Sequence, residues 1–176
     1  LGLARSFQVT NLFPRLTAYE NLQCAVMGAM GLRYRFLQRL SGLREVRAQA
    51  EDLVARLRLQ DQRDVPAQHL AYAQQRALEI GLAVAGDAPV VLLDEPTAGM
   101  SHSETAHFTA LVRELTEGRT LVLVEHDMGV VFDLADRVAV LAGGEFIACD
   151  TPQRVRADER VRQAYLGGDA PAGEEG

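Results

Sequence analysis

The sequence contains no lysine: all 18 of its basic residues are arginine. That absence excludes a Schiff-base lysine, a lysine general base and any complete G-x-x-x-x-G-K-[ST] phosphate loop. Cysteine is scarce too. Cys24 and Cys149 stand far apart with no C-x-x-C spacing, which argues against a disulfide framework or a zinc site and suits a reducing compartment. No basic stretch followed by an apolar one opens the chain, so no signal peptide is expected. No apolar run approaches the roughly 18–20 residues of a membrane helix, so any link to a membrane is expected to run through a partner. Basic charge is in deficit, with 18 arginines against 24 acids and a net charge of −6. That balance disfavours general nucleic-acid binding, which needs a basic surface.

What remains is globular in composition, with 48% hydrophobic and 24% charged residues in 176, enough for one domain or one and a small appendage. Residues 4–9 read as a short strand running into a loop. Thr17 and Glu20 form a capping box that starts a helix reaching about Ala29. Residues 30–42 are Gly- and Arg-rich and poorly periodic. Leu43, Val46, Leu53, Val54 and Leu57 recur at helical spacing, so 43–58 reads as an amphipathic helix. Residues 73–86 are apolar nearly all round, as in a buried helix. Val90–Leu93 and Leu121–Val124 are continuous apolar runs, read as buried strands, the first covered on both faces. Between them Ser101 and Glu104 form a second capping box, and Gly118 fits a helix stop. A helix follows at about 127–135. Residues 138–148, broken by Gly143-Gly144, read as a hairpin. Thr151-Pro152 marks a helix start, and the last ten residues read as a disordered tail. Strands alternating with helices imply an α/β fold with a parallel core from about residue 86 onward. Residues 31–60 hold seven arginines against three acids. They form either a solvated helix face or a contact for lipid head groups or an acidic partner.

Three places carry candidate chemistry. Asp94 and Glu95 end the first apolar run, so both carboxylates fall at the C-terminal edge of a strand, where open α/β sheets bind ligands. Asp94 there can hold magnesium, and Glu95 can orient or deprotonate a water. Two acids capping the next turn would look the same. His126, after the second run, falls on the same edge and can donate to a phosphate oxygen, or it is a packing residue. Gln8 offers a neutral oxygen and a donor, and alone says nothing.

In combination these features resemble the ATP-binding subunit of an ABC transporter. Ala4-Arg-Ser-Phe-Gln8 looks like the Q-loop, and Leu70-Ala71-Tyr72-Ala73-Gln74 like the signature motif. Val90–Glu95 looks like Walker B, Ala98–Ser101 like the D-loop, and Glu125-His126 like the H-loop. Order and rough spacing match over about residues 1–166. Phe7-Gln8, Leu12-Phe13, Tyr19-Glu-Asn-Leu22, Gln75–Ile80, Glu125–Met128 and Ala164–Gly167 are similar to the branched-chain amino acid uptake group. The resemblance implies a partial P-loop NTPase core with parallel strands plus a helical subdomain. Residues 1–16 would be the Q-loop end of the core and 17–85 the helical signature subdomain. Residues 86–150 would carry Walker B, D-loop and H-loop, 151–166 the C-terminal helices and 167–176 the tail.

The resemblance further implies ATP and magnesium as cofactors. Gln8 would touch magnesium and the attacking water, Asp94 would hold magnesium, Glu95 would be the general base and His126 would contact the γ-phosphate. Residues 70–74 would cap the ATP of a second ABC ATPase subunit, with Ser101 in the D-loop. Phe13, Leu16 and Thr17 would form the groove for membrane permease subunits, with a periplasmic binding protein engaged indirectly. The place implied is the inner face of the cell membrane, peripheral on the cytoplasmic side.

Three departures stand out. The lysine-bearing phosphate loop is missing, and the expectation is that the chain is a piece of a longer protein, inactive alone. The signature has Ala71 where a hydroxyl usually meets phosphate, and Ala73 where glycine admits close backbone approach. Ser101 stands where the closest group has Asn, either in a coupling role or only as an N-cap. The competing functions are a catalytically degenerate partner subunit in a heterodimer and a lipopolysaccharide-export ATPase. A DNA-repair relative is disfavoured, because no long coiled coil lies beside the motifs.

Overall fold

A computed structural model describes residues 3–5, 12–31, 40–86 and 88–166. They form two compact units, Leu1–Glu125 and His126–Gly176.

In the first unit, strand β1 (Leu3–Arg5) leads to helix α1 (Ala18–Ala29), which starts as its capping box requires. The Glu20 N–H donates to the Thr17 hydroxyl at 3.1 Å, and the Thr17 N–H donates to the Glu20 carboxylate at 2.8 Å. Helix α2 (Leu40–Arg56) packs on α1 and buries Val46, Ala50, Leu53, Val54 and Leu57. Arg63 ties this pair together. Its guanidinium lies 3.9 Å from the centre of the Tyr19 ring and bonds to Glu51 at 2.6 Å. Of the arginines expected on one cationic face, Arg44 and Arg47 are exposed, while Arg56 and Arg58 approach Asp52 and Glu114 at 4.0 and 3.6 Å.

Helix α3 (Tyr72–Val84) buries Ala77, Leu78, Ile80, Gly81 and Val84. It is not apolar all round, because Glu79 is buried among them. Strands β2 (Val90–Asp94) and β3 (Thr120–Val124) flank helix α4 (His102–Leu115). They complete a parallel sheet of order β1-β2-β3, with Asp94 opposite Val124.

The expected burial, on both faces for the first run and without that detail for the second, is not met in full. In β2 only Val91 and Leu93 are buried, with Val90, Leu92 and Asp94 half-buried. In β3, Val122 and Val124 are 42% and 53% exposed. Side chains alternate across a strand, so one face of β2 is buried and the other half-buried, while the face of β3 that carries Val122 and Val124 is exposed. Composition reported the chemistry of those runs but not their neighbours.

The second unit holds helix α5 (Met128–Leu134) and the antiparallel strands β4 (Val138–Ala142) and β5 (Glu145–Asp150), then helices α6 (Pro152–Ala157) and α7 (Glu159–Val161). The hairpin turns on Gly143 and Gly144 at φ 59° and 84°. Two consecutive positive φ values are the two-residue turn that matches strand twist. Its core gathers Val138, Val140, Val155 and Val161, with Phe132 and Ile147 packed against them. Pro152 opens α6 after Thr151 as expected, but the Thr151 hydroxyl makes no cap bond. No helix among the described residues is long and apolar enough to cross a membrane.

Candidate functional site

The residue after β2 is the most unusual in the backbone. Glu95 sits at φ 44°, a left-handed conformation shared among the described non-glycine residues only with Arg58. Such a conformation costs about 1–3 kcal/mol and persists where surrounding bonds impose it. Here they are visible. The Glu95 N–H donates to the Val124 carbonyl of β3 at 2.8 Å, and the Glu95 carbonyl accepts from the Ala98 N–H at 3.2 Å. Thr97, itself buried, donates to the Glu125 carboxylate from its N–H at 3.0 Å and its hydroxyl at 2.5 Å. The turn carrying Glu95 is therefore bolted to the C-terminal end of β3. Asp94 precedes it at the last position of β2, half-buried. Both carboxylates stand at the C-terminal edge of the parallel sheet, as their spacing predicted.

The sequence puts Glu125 in the H-loop-like pair but gives no sign of its bond to Thr97, since nothing in a 28-residue separation links the two. His126, its neighbour, is exposed and heads the second compact unit. Gln8 lies outside the described residues.

The signature-like segment opens α3. Leu70 is buried, and Ala71 is the N-cap in extended conformation. With no side-chain oxygen at Ala71, only half a capping box forms, the Gln74 carbonyl oxygen accepting from the Ala71 N–H at 3.0 Å. Gln75 donates back to the Leu70 carbonyl at 3.0 Å. Ala73 and Gln74 are half-buried in the first turn, and Tyr72 is 45% exposed. The first-turn N–H groups of a helix point outward and favour an anion.

Deeper in α3, Arg76 bonds to Glu79 at 2.9 Å with 16% and 8% of the two side chains exposed. Burial works against the Arg76 charge, yet the bonds to Glu79 and Tyr72 hold it above its ordinary value. Burial raises the Glu79 carboxyl, with Arg76 offsetting only part of it, and the second Glu79 oxygen is buried without a hydrogen bond.

Ser101 is engaged as the N-cap of α4, its backbone N–H and hydroxyl donating to Glu104 at 2.9 and 2.6 Å. The Ser101 hydroxyl and N–H together hold the Glu104 carboxyl below the usual carboxylate range. The capping alternative for Ser101 is thus the one with visible bonds.

The loop before α1 is shaped by one side chain. Asn21, fully buried, accepts from the Phe13 N–H at 2.8 Å and donates to the carbonyls of Phe13, Leu16 and Thr17 at 3.1, 3.2 and 2.9 Å. That bracing leaves Phe13 57% exposed, with Leu16 and Thr17 half-buried.

No group of three or more His, Cys, Asp or Glu among the described residues forms a metal cage. Magnesium in nucleotide sites needs only one or two carboxylates besides phosphates and water. Asp94, a single carboxylate at an open sheet edge, fits that demand and no fuller one.

Residues 2–98 match the ABC transporter family, and residues 147–171 match the family described as branched-chain amino acid ATP-binding cassette transporter. The high-affinity branched-chain amino acid transport ATP-binding protein LivG of Escherichia coli K12 is 34% identical over 175 residues, covering 95% of this chain and 68% of LivG. The protein of the same description in Pseudomonas aeruginosa, BraF, is 33% identical over 94% of this chain and 68% of its own length. Among solved structures, the ATP-binding cassette MJ0796, a dimer bound to ADP and Pi, superposes with a TM-score of 0.67 at 27% identity, over 85% of this chain and 62% of that one. The cassette MJ1267 has the same fold, with a TM-score of 0.75 at 23% identity over 93% of this chain and 68% of its own. The chain thus spans about two thirds of the proteins it resembles. By these matches and by its parallel α/β core, the chain belongs to the ABC transporter family of ATP-binding proteins.

Proposed function

We propose that this chain is the greater part of the ATP-hydrolysing subunit of an ABC importer for branched-chain or related amino acids. The observation that carries the reading is Glu95, held in a strained backbone beside Asp94 at the C-terminal edge of a parallel sheet. Strain that persists at one carboxylate is the mark of a positioned group.

Each residue then has a task. Glu95 accepts the proton of a water that attacks the γ-phosphorus, while the bond to the bridging oxygen breaks and ADP leaves. Asp94 would hold magnesium, and Gln8 and His126 would serve the metal and the γ-phosphate. Magnesium, when bound, neutralises phosphate charge. Residues 70–74 cap the nucleotide of a second ATPase subunit, the N–H groups of the first turn of α3 facing it, with Ser101 near that interface. Phe13, Leu16 and Thr17, braced by Asn21, present an apolar edge to a membrane permease. A periplasmic binding protein supplies solute from the other side, so the subunit works at the inner face of the cell membrane. The domain boundaries at 16, 85, 150 and 166 follow from the same reading.

A second reading has its own support. Ala71 offers no hydroxyl at the N-cap of α3, as in a degenerate subunit that completes the site of an intact partner.

One experiment separates the two. The full-length protein that contains this chain is assembled with its permeases, and phosphate release and labelled leucine uptake are measured. Active wild type with a loss of about 10²–10⁴-fold in Glu95→Gln supports the first reading, and inactive wild type overturns it. A gain in rate for Ala71→Ser with Ala73→Gly would identify the signature as the weakened part; no gain removes the support for degeneracy.

A further inference from the structure

Tyr72 joins two segments that are otherwise separate. It is the first residue of α3, and its hydroxyl donates to the Ala98 carbonyl, 26 residues further on, at 2.8 Å. The same oxygen accepts from Arg76 Nε at 3.0 Å, and the Arg76 guanidinium lies 5.2 Å from the centre of the ring. Arg76 is fixed in turn by Glu79 at 2.9 Å inside the helix. A phenol that receives one bond from a pinned guanidinium has its own proton directed at one acceptor. The ring also lies against Gly99. That residue has φ 80°, and a Cβ built there would meet the ring at 3.6 Å. The positive φ favours glycine at this point, and the Tyr72 ring covers its bare backbone.

Ala98 closes the turn that carries Glu95, its N–H donating to the Glu95 carbonyl at 3.2 Å. Bonds among the described residues tie that turn to other elements on two sides. Val124 and Glu125 hold one side from the end of β3. Tyr72 holds the other from the first turn of α3. The first tether belongs to the sheet. The second belongs to the helix whose N-terminus is proposed above to meet the partner subunit's nucleotide.

We propose that Tyr72 is a positioning residue that couples the first turn of α3 to Glu95 of its own chain, through the Ala98 carbonyl. When the α3 N-terminus seats on the nucleotide across the dimer, the tyrosine draws the 95–98 turn into register. Occupancy of one site thereby sets the geometry of the general base in the other. The hydroxyl is the working part, and the ring serves as a spacer over Gly99. The Tyr72 side chain touches neither nucleotide nor water in this role. The inference rests on the ATPase reading of the site.

The test uses Tyr72→Phe in the full-length subunit assembled with its permeases. This variant keeps the ring and removes the hydroxyl at a half-open position. Hydrogen exchange of the amides at residues 97–100 is read first, without nucleotide. Faster exchange in the variant at an unchanged melting midpoint supports the tether, and equal exchange overturns it. Turnover is read next. The expected result is a fall in kcat of about two- to tenfold, the worth of one neutral hydrogen bond, with KM for ATP unchanged.

Mixed dimers of two differently tagged copies then locate the effect. In one pairing the Tyr72→Phe copy keeps Glu95 and the other copy carries Glu95→Gln. In the second pairing both changes sit on the same copy. Coupling within a chain predicts that only the first pairing loses rate relative to a dimer carrying Glu95→Gln alone. Loss in the second pairing, or in neither, overturns the proposal. If wild type releases no phosphate, the ATPase reading has failed and the coupling falls with it. Active wild type with unaffected variants removes the coupling alone.

Discussion

Glu79 is a carboxylate pulled two ways. Burial raises its pKa above the ordinary value of 4.5, and the bond from Arg76 lowers it again by less. Below the ordinary value, folded and unfolded chains both carry the proton, and Glu79 adds no pH dependence. Between the ordinary and the raised value the unfolded chain has released the proton that the folded chain still binds. Stability then falls as pH rises, and the full cost is present above the raised value. Glu79→Gln removes this term while leaving an acceptor for Arg76. The stability of wild type relative to Glu79→Gln should therefore decline as pH rises above the ordinary carboxyl value of 4.5. Urea denaturation of both proteins across that range checks it, and a parallel pair of curves would show that the carboxyl is not perturbed. The bland role for such a residue is a satisfied core ion pair. Its unbonded second oxygen shows that the pair is incomplete, so holding Arg76, and through it Tyr72, is the better account of its cost.

At the scale of elements, helix ends repay attention. Helix α2 stops in a Schellman motif. The Leu59 N–H reaches the Val54 carbonyl at 3.0 Å, and the Arg58 N–H reaches the Ala55 carbonyl at 3.0 Å. Val54 and Leu59 are both buried beneath it, the apolar contact that accompanies this motif. The residue that turns the chain is Arg58, at φ 57°, where glycine is the usual occupant. Arg58→Gly should stabilise the protein by about 1 kcal/mol, because the Arg58–Glu114 pair it removes is exposed and 3.6 Å long. A raised denaturation midpoint at unchanged slope is the expected reading.

This stop was not legible in the sequence, since arginine carries no turn signal and the motif is defined by bonds. The starts of α1 and α4 were legible, because Thr17 with Glu20 and Ser101 with Glu104 complete their boxes within three residues. The carboxylates of the site were legible for a similar reason: Asp94 and Glu95 are consecutive and follow one apolar run. The exposure of Val122 and Val124 was not, because edge position depends on what lies beside a strand. Nor were Thr97–Glu125 and Tyr72–Ala98, whose partners meet only once the sheet and α3 are in place.

Over the whole molecule, the missing lysines make charge unusually stiff. All 18 basic residues carry a guanidinium, which keeps its charge throughout the physiological range, and no side-chain amine is present within these 176 residues. Exhaustive acetylation should leave no side-chain amine adduct on any of these 176 residues, read by peptide mass mapping. Any such adduct would contradict the prediction.

Three of the side chains that brace the backbone share another habit. Tyr72 ends on the Ala98 carbonyl, Asn21 on those of Phe13, Leu16 and Thr17, and Arg119 on those of Gly86 at 2.9 Å and Val84 at 3.4 Å. A main-chain oxygen is present whatever the side chain. These links are therefore inherited from one side only. Drift at residue 98 leaves the bond standing, while a change at residue 72 breaks it. Paired substitution, the usual trace of contact between two positions in descent, would not reveal them.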